Sequence, residues 1–250
     1  TFALAGLELS RAAGWTKSDG DVGRGARIAR SGRDRLSAPD RALLDALTRQ
    51  WVSAPTMFER WNAVVTAYPA RPENWYALGD AHFHWGPLAG EEGSFERAEA
   101  AFRRGWALDS AASVASAVGG RLVAEPMVHL VELAHLRGDS VEVVRLANRV
   151  LGVDSTSDLA RVLMWHRALV TSDSARIAFW DTIESASQGA VTRIRLFTLW
   201  SGVGSVDMSR AAAEGTRRVL AHDPGYGSFA LAVNALNAGR PGDIPEGTEL

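Results

Sequence analysis

The feature that most constrains this chain is a pair of helical patterns that make sense only when packed on each other. The first is Asn74-Trp75-Tyr76-Ala77-Leu78-Gly79-Asp80, with bulky side chains at helical spacing before a glycine. The second is Ala98-Glu99-Ala100-Ala101-Phe102-Arg103-Arg104-Gly105-Trp106-Ala107-Leu108-Asp109, where small residues recur. Large residues on one helix and small ones on the next let two antiparallel helices approach closely. Such a pair cannot bury its own apolar face, so neighbouring pairs must stack. Between the two patterns lies 86–93, rich in Gly and containing Pro87, which reads as a loop.

Weaker copies of the pattern flank this one. Met57, Trp61, Val64 and Pro69 fit the second helix of a preceding pair, with its first helix near 40–52. Residues 126–137, then Gly138-Asp139, then 140–152 read as another pair, with Gly138 at the turn. Ala212, Val219, Leu220, Asp223 and Pro224 end a further second helix, and 229–237 with Gly239 looks like a final first helix without its partner. Residues 2–15 and 22–36 make a pair at the start, while 158–170 and 174–185 are helical by period alone. No strand alternation interrupts the series, and Asp or Ser precedes several helices as an N-cap. The chain is therefore expected to be all-α, with roughly 12–13 helices over 1–240. The tail 241–250, which holds two prolines, is expected to be flexible.

The segment from Trp75 to Asp109 resembles the tetratricopeptide repeat family, and weaker likeness extends over most of the chain. From Trp75 to Ala98 is 23 residues, where the 34-residue family repeat uses about 16; the surplus falls in the 86–93 loop. The resemblance implies a right-handed α-solenoid of about six to seven helix pairs, some degenerate. A narrower resemblance rests on Tyr68-Pro69, on Glu73 through Asp80, and on Phe83-His84-Trp85-Gly86-Pro87. These look like the repeat arrays at the C-terminal end of large bacterial signalling proteins, often behind a serine/threonine kinase domain. That implies a regulatory, protein-binding arm with no catalysis of its own. It would be cytoplasmic, or the extracytoplasmic arm of a membrane-tethered protein. The first residue, Thr1, fits a segment cut from something longer.

Composition removes several other classes. The 250 residues are 46% apolar and 22% charged, enough for a packed core. Against 29 acidic side chains stand 27 basic ones, so there is no basic excess for gripping nucleic acid. No apolar run approaches the ~20 residues of a membrane helix. The absence of cysteine excludes disulfides, thiolate zinc sites and a cysteine nucleophile. Lys17 is the only lysine, and it sits in a loop between helices rather than after a glycine-rich strand. Ser31-Gly32-Arg33-Asp34-Arg35-Leu36 only faintly echoes a kinase catalytic loop, and no Gly-Lys-Ser/Thr or G-x-S-x-G occurs. Arg24, Arg27, Arg30, Arg33 and Arg35 form a basic stripe, which Asp21, Asp34 and Asp40 dilute into an ordinary solvated face.

The candidate site follows from the family likeness, because helix A of each repeat lines the concave face. Helix register places Tyr76, Asp80, Phe83 and His84 there, and neighbouring copies add Arg49, His129, Glu132 and His135. This aromatic, histidine and carboxylate mixture differs from the Lys/Asn/Arg clamp that holds acidic C-terminal tails. The expected ligand is an extended or helical peptide with basic or aromatic anchors, or another domain of the same polypeptide. His129, Glu132 and His135 are three apart, and with Asp80 and His84 could converge on a metal if their helices are neighbours. The plainer expectation is a polar groove with no metal, no cofactor and no catalytic residue. His82 is expected to pack in the core, as are Trp61, Trp75 and Trp106. The alternative reading is an all-helical glycan-binding or glycan-active protein, with exposed tryptophans (Trp85, Trp165, Trp180, Trp200) stacking on sugars and two carboxylates doing the chemistry.

Overall fold

A computed structural model describes residues 2–15, 19–47, 53–115, 124–152 and 155–181, together with 183, 194, 211 and 212. Ten α-helices and no strand occur among them, so the described residues are all-helical as expected. They are α1 (Phe2–Trp15), α2 (Asp19–Ser31), α3 (Ala38–Leu47), α4 (Ala54–Ala67), α5 (Pro72–Trp85), α6 (Ser94–Ala115), α7 (Ala124–Leu136), α8 (Ser140–Leu151), α9 (Asp158–Thr171) and α10 (Asp173–Trp180). The chain divides into two compact units, 1–129 and 130–250. The expected helices beyond 212 and the 241–250 tail lie outside the described residues.

Local chemistry sets the helix ends. Pro72 opens α5 where a missing N–H costs nothing. Asp139, Ser157 and Ser172 cap α8, α9 and α10 by accepting from the backbone N–H of Glu142, Ala160 and Ala175. Gly138 turns α7 into α8 at φ +72°, a left-handed conformation that favours glycine. In the first unit α1 packs on α2, α4 on α5, and α5 on α6; in the second, α8 packs on α9 and α9 on α10.

The complementarity of large and small residues is realised between α5 and α6. A Cβ at Gly79 would sit 2.7 Å from the Phe102 ring, and one at Gly105 would sit 2.5 Å from the Tyr76 ring. The missing side chains thus let each helix seat the other's aromatic. Trp61, Phe58, Val64 and Val65 of α4 join Leu43 and Leu44 of α3 and Leu78 of α5 in the first core. Trp75 does not reach it fully: the ring is half-buried against that core, and its Nε1–H donates to the Pro69 carbonyl at 2.9 Å. Trp106 is also half-buried. His82 is buried as expected, stacked on Phe58 at 4.6 Å with Nδ1 2.9 Å from Glu91. The inserted loop is consequently anchored, because Glu91 also pairs with Arg97 at 3.0 Å.

Candidate functional site

The stripe Tyr76–Asp80–Phe83–His84 runs up one side of α5, and the structure splits it. Its first member is core. Tyr76 is 2% exposed, and its hydroxyl lies 3.3 Å from Asp109. Burial, together with the nearby Asp109 carboxylate, pushes the phenol far above its ordinary value. Tyr76 therefore belongs to the α5–α6 contact and not to an open binding face, which corrects the expectation. One turn later the stripe reaches the surface. The Asp80 and His84 side chains, four residues apart and so on the same face, are each about half exposed (48% and 49%).

His129 of α7 completes this locus from below. Its side chain is 6% exposed, and its Nε2 lies 3.6 Å from Asp80 Oδ1. His84 Nε2 lies 3.4 Å from the same oxygen. The His129 ring packs against Phe83 at 4.6 Å and stacks on Phe102 at 5.0 Å. The His84 ring stands nearly perpendicular to it at 5.3 Å. Phe83 also meets Phe95, which is 38% exposed, at 5.8 Å. Desolvation by these rings would raise the Asp80 carboxyl, but hydrogen bonding and charge from His129 and His84 outweigh it. The carboxyl is held well below its usual range. A carboxylate thus stands at the surface, framed by two imidazoles and bordered by phenyl rings.

Two more of the expected residues have a different neighbour. Glu132 and His135 belong to the second unit, where their neighbour is His166 of α9, a residue with no motif around it to mark it. His166 Nε2 is 3.9 Å from Glu132 Oε1, and its ring centroid is 5.9 Å from that of His135. Glu132 and His166 are both buried, so neither presents an open binding face. Burial pushes the His135 imidazole below its ordinary value. Arg49 lies outside the described residues.

Two rival surfaces lose their simplest support. The arginine stripe is occupied in part, since Arg33 makes a two-pronged pair with Asp45 at 3.1 and 2.5 Å, and Arg24 pairs with Asp21 at 2.8 Å. Of the tryptophans that the glycan reading needs exposed, Trp165 is fully buried against Phe179 and Trp180, and Trp85 is open at 52%; Trp200 lies outside the described residues. No helix among the described residues is long and apolar enough to cross a membrane. Comparison with protein-family models, with curated proteins and with solved structures returns no match.

Proposed function

We propose that this chain is a non-catalytic scaffold of stacked helix pairs, of the tetratricopeptide type, that holds a protein or peptide segment as the regulatory arm of a larger signalling protein. The observation that carries this reading is the half-exposed Asp80 carboxylate beside Phe83 and the partly exposed Phe95. A guanidinium or ammonium group arriving there pairs with the carboxylate and lies close to an aromatic face, two interactions that favour the same ligand. The glycine-mediated seating of α5 on α6 supports the repeat character, because it is the contact that a stacked pair needs.

The test is selection of binders from a displayed random-peptide library on the purified chain. Enriched peptides are expected to carry Arg or Lys next to an aromatic. Their affinity should drop about tenfold or more with Asp80→Asn, the scale of a lost charge-assisted contact of about 1.5–3 kcal/mol. Enrichment of no sequence, or of peptides indifferent to both Asp80→Asn and Phe95→Ala, would overturn the reading.

A further inference from the structure

We propose that Asp80, His84 and His129 form a binding site for a divalent transition-metal ion of zinc's chemical class. The argument starts from ligand type. Two imidazole nitrogens and one carboxylate oxygen are the donor set that suits zinc and its borderline neighbours, while calcium and magnesium prefer oxygen alone. One ligand atom from each residue lies within 4.8 Å of the others.

Spacing strengthens the case. Asp80 Oδ1 is 3.4 Å from His84 Nε2 and 3.6 Å from His129 Nε2. A charge-assisted N–H···O contact is shortest near 2.7–2.9 Å, so the hydrogen bonds of this triangle are loose ones that an ion could replace. Ligand atoms around a tetrahedral ion with bonds of 2.0–2.1 Å stand about 3.3 Å apart, which is close to what two edges of this triangle show. The residues are held as a metal site requires. Asp80 and His84 project from one helix a turn apart, and His129 is fixed by packing on Phe83 and Phe102. Orientation by such surroundings is what preserves a ligand's direction before the ion arrives.

The arrangement also defines what kind of site it is. Three protein ligands leave a fourth position for water or for an incoming group, as in open zinc sites. Two of the three side chains are half exposed, so that position faces solvent, while the buried His129 forms the floor. The inference does not rest on the scaffold reading: an ion held by Asp80 takes up the carboxylate that a cationic peptide would pair with, so the two ligands compete for it, and metal loading is measured with no peptide present.

The experiment uses the full 250-residue chain, stripped with a chelator and then titrated with Zn²⁺ alone by calorimetry and with Co²⁺ by visible absorption. One equivalent of zinc per chain is expected, with the intense absorption of tetrahedral cobalt and a raised melting midpoint on zinc addition. Asp80→Ala and His84→Ala change half-exposed positions, and each should keep the circular-dichroism spectrum while weakening zinc binding by at least the roughly 10–100-fold that loss of a ligand's outer-shell partner costs. His135→Ala, in the second unit, should leave binding unchanged. Absence of binding, or binding that survives both Asp80→Ala and His84→Ala, would overturn the assignment.

Discussion

At the scale of single residues, two glycines and two tryptophans show how environment decides the effect of a substitution. A Cβ at Gly105 would press on the Tyr76 ring and lie 3.1 Å from the Pro72 carbonyl. Gly20, also helical, has nothing within 4 Å. Alanine has the better helix propensity by about 1 kcal/mol, so Gly20→Ala is expected to be neutral or stabilising. Gly105→Ala should instead destabilise by about 1–3 kcal/mol, because overpacking exceeds the propensity gain. Urea unfolding of the two variants beside the parent checks the sign of each. By the same logic Trp61→Ala, which empties a buried site, should cost about 3–5 kcal/mol. Trp75→Ala should cost less, since that ring is half-buried already; equal midpoint shifts for the two would contradict the packing described.

At the scale of elements, one polar cluster links the start of α3 to the start of α5. The Ser37 hydroxyl donates to Asp40 at 2.6 Å, Asp40 accepts from Arg71 at 2.8 Å, and Arg71 also pairs with Glu73. Desolvation would raise the Asp40 carboxyl, but bonds from Ser37 and Arg71 and the charge of Arg71 outweigh it and lower it. A carboxyl lowered in the fold contributes stability that is complete above its unfolded value of about 3.9 and is lost as pH falls through the folded value. Asp40→Asn is therefore expected to destabilise by about 2 kcal/mol at pH 7, the scale of hydrogen bonds to a charged group. The gap to the parent should narrow as pH falls below about 3.9, and thermal melts across that range give the comparison. The helices themselves were legible from pattern alone: α7, α8 and α9 begin and end within a few residues of where spacing, caps and Gly138 place them. The α5–α6 loop was legible too, as a glycine-rich insertion. Its anchorage was not, because nothing local marks Glu91 as the partner of His82, nine residues back.

At the scale of the whole molecule, the shifted groups bracket a pH window of greatest stability. Burial lowers His135, so its contribution is complete above the ordinary histidine value of about 6.5 and is lost as pH falls. Asp40 adds a second loss further down. Burial raises Asp109, which works the other way: its contribution is complete below about 3.9 and is lost as pH rises through the folded value. Tyr76, also raised, contributes below its ordinary value of about 10 and loses that contribution above it. The melting midpoint should thus lose the His135 contribution as pH falls below about 6.5 and the Tyr76 contribution as pH rises above about 10. His135→Gln should flatten the upper part of the acid limb, near pH 6, without changing the lower part. A parent curve flat from pH 5 to 7 would show that His135 is not held neutral.

The division between what was readable and what was not follows from the range of the forces involved. The helical class of the described residues and most of their helix boundaries were determined by the sequence itself, because periodicity and capping act over a few neighbouring residues. Where the stripe Tyr76–Asp80–His84 passes from core to surface was decided only by the tertiary structure. So were the convergence of His129 on Asp80 and the pairing of Glu132 with His166. Those outcomes depend on how one helix is rotated against the next. That rotation is set by the summed packing of many side chains from distant parts of the chain, and no local spacing records it.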